Sequence, residues 1–476
     1  MEEDVATGAA RGAIPELVGD EIVRRRILEF LGCSGASLAG ATAVHIVRTD
    51  SENPSQPDRF GLDSLDDLLA EGAGLSRSLY DTRSVLVHLD IEYVNHDDPA
   101  AAFTDPWRAF RLQEPVVAAV EELLADWRIR PLHLVTGQGH HFVWRFPRES
   151  ELARRIGHLE PAADNGGGDP IFANLGLLAE HIGHRVLEAT RSVEVPVEIT
   201  AVQVPPGAAG GRELVSVDLS EYGDPLEARG IRIPFTRYLK PWSSGIARRC
   251  GVEGQIRPCH CIPLHEMDVA QALKVRQDAA DIAALARRCV AEIPDEAAGT
   301  ARLFEEYLES PLRAFHRRFY ECTHDPPEDW PATYGRTPLE DLPGCVRRIL
   351  RGPNELLLKP SGMRMVTRVL LAKGWHPRHI AGLVRSKFED PAYGWGGHWH
   401  GYNPGFRADF YVRLFAGQIE VGLDELGDFS CPEQSAEGFC WPDAPPCDLV
   451  PLRDALLRSR RQRRQGKTSP PNCSET

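Results

Sequence analysis

Asp90 and Glu92 lie two residues apart inside an apolar run, Val85-Leu86-Val87-His88-Leu89-Asp90-Ile91-Glu92-Tyr93. In an extended strand successive side chains alternate between faces, so His88, Asp90 and Glu92 share one face and Leu89 and Ile91 the other. Two carboxylates in such a setting are costly unless cations compensate them. Hard divalent ions, Mg²⁺ or Mn²⁺, are the natural compensation, because they take carboxylate and phosphate oxygens together. A third acid, Asp218, ends another apolar run, Val215-Ser216-Val217-Asp218. Three acids suffice to clamp metals for nucleotidyl transfer. The plainer reading, a solvated face of an edge strand, needs no ion.

Between these acids lies Thr136-Gly137-Gln138-Gly139-His140-His141-Phe142-Val143-Trp144, a glycine-bearing turn that leads into a strand beginning with two histidines. Glycines let a phosphate approach the backbone, and a histidine at the strand entrance can hydrogen-bond it. Alternation puts His141 with Val143 and Arg145, and His140 with Phe142 and Trp144. Taken alone, the pattern is equally that of a structural hairpin. After Asp218 comes a basic stretch, Arg232-Ile233-Pro234-Phe235-Thr236, with Tyr238 and Lys240 beyond it.

The cysteines form two further sets. Cys250, Cys259, Cys261 and His265 fall within sixteen residues and suit tetrahedral zinc, although reduced, partly buried thiols explain them as well. Cys345 and, far downstream, Cys431, Cys440 and Cys447 bring four thiolates from distant segments. They can hold either Zn²⁺ or a [4Fe–4S] cluster, and spacing does not choose between them.

The elements that must position these groups read as α+β. Strands are expected over 41–48, 84–94, 131–135, 140–146 and 213–219, mainly antiparallel, with a helix over 113–127. A long helix is expected from Asp268 to Ile293, and helices dominate from Arg336 onward. The expected division is an N-terminal flank (1–40), a catalytic domain (41–266), a helical connector (267–335), a cysteine-bearing helical domain (336–457) and a basic, disordered tail (458–476).

The 476 residues are enough for two or three domains. No apolar run is long enough to span a bilayer, and the acidic start MEEDVATGAA does not resemble a signal peptide, so no membrane role and a cytoplasmic location are expected. Eleven cysteines in such a compartment point to metal ligation before disulfides. The net charge of −15 is unevenly spread: from Cys345 onward there are 19 Lys and Arg against 14 Asp and Glu, so the basic excess is C-terminal. That is compatible with localised contact to DNA.

The order Asp-x-Glu, then Gly-x-Gly-x-His, then a strand-terminal Asp followed by Arg-x-Pro and a lysine resembles the archaeo-eukaryotic primase superfamily, its small catalytic subunit and primase-polymerase relatives. The resemblance covers roughly 40–245. It implies an RRM-like antiparallel sheet, metal binding by Asp90, Glu92 and Asp218, and nucleotide binding by Thr136, Gly137, Gly139, His141, Arg232 and Lys240. Thr136 replaces the family's serine and keeps its hydroxyl. Tyr238 stands where the family often has histidine and cannot carry positive charge. Small primase subunits often carry a structural zinc, which favours that reading of Cys250, Cys259, Cys261 and His265.

Residues 336–450 resemble the C-terminal iron-sulfur domain of the primase large subunit. Pro343-Gly344-Cys345 opens a helix, basic helices follow around Gly362–Arg368 and Lys373, and Tyr411-Val412-Arg413 is expected as a strand leading to the last three cysteines. The resemblance implies a [4Fe–4S] cluster on Cys345, Cys431, Cys440 and Cys447, and contact to nucleic acid through Arg347, Arg348, Arg364, Arg368 and Lys373. An ordinary solvated helix face would also explain these basic residues. Together the two resemblances imply a single-chain primase-polymerase acting on a single-stranded DNA template and nucleoside triphosphates, beside a helicase or other replication proteins. Two other readings are a primase-fold nucleic-acid-binding replication or defence factor impaired in catalysis, and a histidine-based strand-nicking initiator. The second is disfavoured because His140 and His141 are adjacent rather than separated by an apolar residue.

Overall fold

The computed structural model describes residues 17, 19–35, 37–50, 58–160, 169–202, 212–224, 226, 230–352, 354–400, 402–440 and 447–464, the side chains of 398, 400, 463 and 464 excepted. Ten strands are formed among the described residues: β1 (Ile46–Arg48), β2 (Asp58–Phe60), β3 (Leu75–Ser78), β4 (Ser84–Asn95), β5 (Leu132–Val135), β6 (Gly139–Pro147), β7 (Val197–Ile199), β8 (Glu213–Asp218), β9 (Gly230–Arg232) and β10 (Ile262–Pro263). They make two sheets, one of order β2-β1-β3-β9 and one of order β10-β5-β6-β4-β8-β7. Every pairing is antiparallel except β7 with β8. The chain is a mixed α+β protein with a helical C-terminal region.

β4 is the longest strand and lies between β6 and β8. Its alternation is realised. Leu89 and Ile91 are fully buried, and the strand contacts the helices Pro106–Asp126 and Pro170–Ala189. His140, the register partner of Ile91, stacks edge-on against Phe110 of the first of these helices, with ring centroids 5.0 Å apart. Burying an aliphatic side chain of this size contributes about 1.5–3 kcal/mol, so this apolar face fixes the register and commits His88, Asp90 and Glu92 to the opposite side.

Two expected elements differ. The single helix over 268–293 is two helices, Val269–Val275 and Ala279–Arg288. The break has a local cause: Asp278 caps the second helix by accepting from the Ala280 and Asp281 N–H groups, while Arg276, buried at the C-cap of the first, hydrogen-bonds to the Thr136 carbonyl. Tyr411-Val412-Arg413 is not a strand but the middle of the helix Pro404–Val421, which Asn403 caps through the Phe406 N–H at 2.9 Å. That helix is buried on nearly every side, which removes the periodic pattern that would mark it.

The boundaries drawn from sequence separate segments that pack together. One connected apolar core runs from Val23 in the helix Glu21–Phe30 to Leu456 in the last helix. The flank joins the connector, with Arg26 hydrogen-bonded to the Ala286 carbonyl and Arg287 paired with Asp20 at 2.6 Å. The C-terminal helices are joined to the sheet-bearing part by buried ion pairs: Arg413 with Glu180 at 2.5 Å, Arg407 with Asp224 at 3.0 Å and Arg364 with Glu198 at 3.2 Å. Part of the expected disordered tail is ordered, since the helix Val450–Arg464 reaches into it and Arg460 donates to the Asp424 carbonyl; residues 465–476 lie outside the described residues. No helix among the described residues is long and apolar enough to cross a membrane.

Candidate metal and nucleotide site

Antiparallel register brings the acids together. Asp90 on β4 is paired with Asp218 on β8 and, on its other side, with His141 on β6. Glu92 follows on the same face. Asp90, Glu92 and Asp218, all half-buried, each present an oxygen, and these oxygens lie within 4.8 Å of one another. They form one side of a cleft of about 310 Å³ that also receives Arg48, Ser76 and Arg232 from the four-stranded sheet, Thr49 just after β1, and Lys240 from beyond the sheet.

Burial, reinforced by the charges of Glu92 and Asp218, holds the Asp90 carboxyl well above the usual carboxylate range. Its Oδ1 is buried without a hydrogen-bond partner among the described residues, with His141 Nε2 3.5 Å away. Crowded carboxylates with an unsatisfied oxygen are the donor set a divalent cation fits, since the ion removes the mutual repulsion. Lys240 Nζ lies 3.2 Å from Glu92 Oε1. Burial alone would lower the Lys240 pKa, but Glu92 and the neighbouring Tyr238 and Asp90 outweigh it and keep the ammonium charged.

His141 is placed as alternation predicts, lining the cleft. Burial, with His88, Arg232 and Lys240 nearby, lowers its pKa far below the ordinary value. Its Nδ1 is buried without a hydrogen-bond partner among the described residues. His140 points the other way and hydrogen-bonds His133 at 2.8 Å.

The two glycines have a packing role rather than an open cradle for phosphate. A Cβ on Gly139 would fall 1.9 Å from the Ile91 carbonyl oxygen, and one on Gly137 would fall 2.0 Å from the Tyr238 ring. Only glycine lets the hairpin lie this close to β4 and to Tyr238. Thr136 closes the turn, its hydroxyl accepting from the Gly139 N–H and donating to the Gly139 carbonyl. Tyr238 is buried, hydrogen-bonds Gln138 and has the Arg232 guanidinium 4.8 Å from its ring centre. Gln138 in turn donates to Glu92 at 2.8 Å. Tyr238 is therefore a positioning residue for both an acid and a cation of the cleft.

The segment with Cys259 and Cys261 acts through its backbone. Their carbonyls accept from the Tyr238 and Phe235 N–H groups and so pin the loop that carries Arg232 to Lys240. Phe235 takes a left-handed φ of 68° there, a strain that such pinning maintains. Cys259 and Cys261 are buried, Cys250 is exposed, and burial pushes the Cys261 thiol up to about 12. These thiols and His265 are not gathered within 4.8 Å of one another, so the expected zinc tetrahedron is not assembled.

Cys345 is buried and Cys431, Cys440 and Cys447 are half-buried around it. Burial and then the proximity of Cys447, Cys440 and Cys431 raise the Cys345 thiol to about 12. Cys431 Sγ and Cys447 Sγ lie 4.0 Å apart, yet the four sulfurs are not all within 4.8 Å of one another. Four thiolates on one zinc, each at about 2.3 Å, would sit closer than that. Cys322 is disulfide-bonded, whereas the cysteine content had pointed to metal ligation before disulfides.

The basic residues expected to face nucleic acid are mostly engaged inside the protein. Arg368 is 1% exposed and paired with Asp424 at 2.7 Å and Asp428 at 2.9 Å, and Arg364 bridges Glu198 and Asp428. Arg348 donates to the Gly438 and Cys440 carbonyls, bracing the cysteine loop, and Arg347 pairs with Glu340 at 3.1 Å. Lys373 is exposed at the end of the helix Pro360–Ala372.

Sequence reasoning placed His88 on the acidic face without a role and missed Arg48, Thr49 and Tyr402, all of which line the cleft. His88 hydrogen-bonds Glu221 at 2.7 Å and lies edge-on to His141 at 4.4 Å, a role its place on the acidic face could have signalled. Arg48 arrives from β1 and Thr49 from just after it, and Tyr402 arrives from the C-terminal region with no sequence signal at all. No protein-family model matches this chain, and searches of curated proteins and of solved structures return no match.

Proposed function

We propose that this protein is a DNA-directed nucleotidyltransferase of the primase-polymerase kind, joining nucleoside triphosphates on a single-stranded DNA template. The observation that carries this reading is the convergence of Asp90, Glu92 and Asp218 within 4.8 Å in a cleft that also holds Lys240 and Arg232. Carboxylates alone would suit many cation sites. Carboxylates beside fixed cations suit a metal-bound polyphosphate.

On this reading Asp90, Glu92 and Asp218 hold Mg²⁺ or Mn²⁺, which when bound supplies Lewis-acid activation and charge neutralisation at the reacting phosphate. Lys240 and Arg232 bind the triphosphate, and His141 donates or accepts a hydrogen bond as a neutral ring. Tyr238 and Gln138 keep Arg232 and Glu92 in place. The 3′-hydroxyl of a primer or first nucleotide attacks the α-phosphate, forming the O–P bond as the bond to the leaving pyrophosphate breaks. The antiparallel sheet with acids on adjacent central strands supports a primase-type, RRM-like core. The thiol set around Cys345 supports a [4Fe–4S] cluster in the helical region, as in the primase large subunit.

The test is template-directed synthesis on single-stranded DNA, run with ribonucleotides and with deoxynucleotides, with and without a preformed primer, in Mg²⁺ and in Mn²⁺. Template-dependent product in any arm supports the proposal, and its absence from all of them would count against it.

A further inference from the structure

Tyr402 comes from the C-terminal helical region, yet it lines the cleft that the acids and Lys240 form. Its position is built in. The next residue, Asn403, caps the helix Pro404–Val421, and one turn into that helix Arg407 places its guanidinium 5.6 Å from the Tyr402 ring centre. Arg407 is itself anchored to Asp224, which is fully buried, at 3.0 Å. The same helix lies against the turn Ser220–Gly223: a Cβ on Gly223 would meet Phe410 at 2.6 Å. Because that turn directly follows Asp218, the placement of Tyr402 is coupled to the placement of a metal-binding acid.

The groups lining the cleft differ in chemistry. Lys240 and Arg232 cluster with Glu92 and Tyr238 and supply positive charge. Tyr402, held beside Arg407, which pairs with Asp224 next to the Ser220–Gly223 turn, brings an aromatic ring backed by a guanidinium. A half-buried ring of this kind is a stacking surface for a planar heterocycle.

We propose that Tyr402 is a nucleoside-binding residue that stacks on the base of the nucleotide whose phosphates lie at Lys240 and Arg232. The cleft is then incomplete without the C-terminal region. This inference rests on the nucleotidyl-transfer reading of the cleft and adds the surface that recognises the base. Stacking tolerates any base, because each offers a π face, so the residue confers affinity for nucleotides over bare polyphosphate without sequence preference.

The experiment is equilibrium binding of ATP and of inorganic tripolyphosphate to the full chain with Mn²⁺, comparing wild type, Tyr402→Ala and Tyr402→Phe. The expected result is that Tyr402→Ala weakens ATP binding about 5- to 100-fold, leaves tripolyphosphate binding unchanged, and that Tyr402→Phe restores ATP binding. Equal ATP affinity in wild type and Tyr402→Ala overturns the inference. So does parallel loss of both ligands, which would make the ring merely structural. Wild-type protein that binds neither ligand overturns the nucleotidyl-transfer reading itself, and this inference with it.

Discussion

Asp90 and Asp218 are direct register partners on the adjacent strands β4 and β8. Two carboxylates facing each other across a ladder repel, and this repulsion adds to burial and to the charge of Glu92 in raising the pKa of Asp90. The arrangement is stable with charge between the acids, so a divalent cation should raise the melting temperature of the wild-type protein and not that of a variant lacking the acids.

His141 and His140 should separate cleanly. His141→Ala is expected to raise the apparent KM for nucleotides several-fold with little change in melting temperature, because the ring lines the cleft. His140→Ala removes a ring packed between Phe110 and His133 and should cost about 1–3 kcal/mol of stability, leaving KM near wild type. Thermal melts and nucleotide titrations of both variants check this; a KM effect from His140→Ala as large as that from His141→Ala would contradict the assigned faces.

Arg368 is expected to matter for stability, not for grip on DNA. Arg368→Met strands Asp424 without its cation, leaves Asp428 with Arg364 alone, and should destabilise the fold by about 3–5 kcal/mol. Lys373→Ala should leave stability unchanged. Denaturant unfolding of both variants decides this, and wild-type stability in Arg368→Met would show that the buried pairs carry no net weight.

Acid should weaken the protein through His184. Burial lowers this histidine to about 3, and neither ring nitrogen has a hydrogen-bond partner among the described residues. The folded state keeps it neutral while the unfolded chain takes a proton near 6.5, so its contribution is fully present above pH 6.5. That contribution is lost at up to about 1.4 kcal/mol per unit as pH falls towards 3. Glu180, held down to about 2 against the cost of burial by Arg413 and His316, adds a second loss that begins below its ordinary value of 4.5. His184→Leu should flatten the fall in melting temperature between pH 6.5 and 5; a slope parallel to that of wild type would contradict the assignment.

The strand that carries Asp90 and Glu92 was legible from sequence because its two faces differ in polarity at every step from Val87 to Glu92, and period 2 has one structural meaning. The hairpin at Thr136–Gly139 and the end of β8 at Asp218 were legible for similar local reasons. Arg364 and Arg368 were not, because a basic helix face reads the same whether water or Asp424 and Asp428 lie opposite. The strand at Tyr411-Val412-Arg413 was expected from the resemblance to the large-subunit domain, although Asn403-Pro404 is a local helix-start signal against it. Tyr402 in the cleft depends on contacts across some 180 residues, which no local pattern encodes.

The cysteines give a chemical test of the C-terminal region. Anaerobically purified protein should be brown and contain iron and acid-labile sulfide, whereas zinc without iron would refute the cluster. Sequence alone suggests that losing the cluster through Cys431→Ser spares primer extension while abolishing initiation. The buried pairs Arg413–Glu180 and Arg407–Asp224, together with Tyr402, tie the region to the cleft. Cys431→Ser should therefore impair extension as well as initiation, and full extension activity in this variant would show that the two parts work separately.

The most direct test of the central claim is template-directed nucleotide incorporation by wild-type protein and by Asp90→Ala/Glu92→Ala, at equal folded concentration established by circular dichroism. Wild type should incorporate nucleotide only with a divalent cation present. The double variant should remain folded and bind single-stranded DNA as wild type does, with incorporation lowered at least about a thousand-fold, since the loss of both acids removes the metal-binding function. Incorporation by the double variant near the wild-type rate would contradict the assignment of these carboxylates to catalysis.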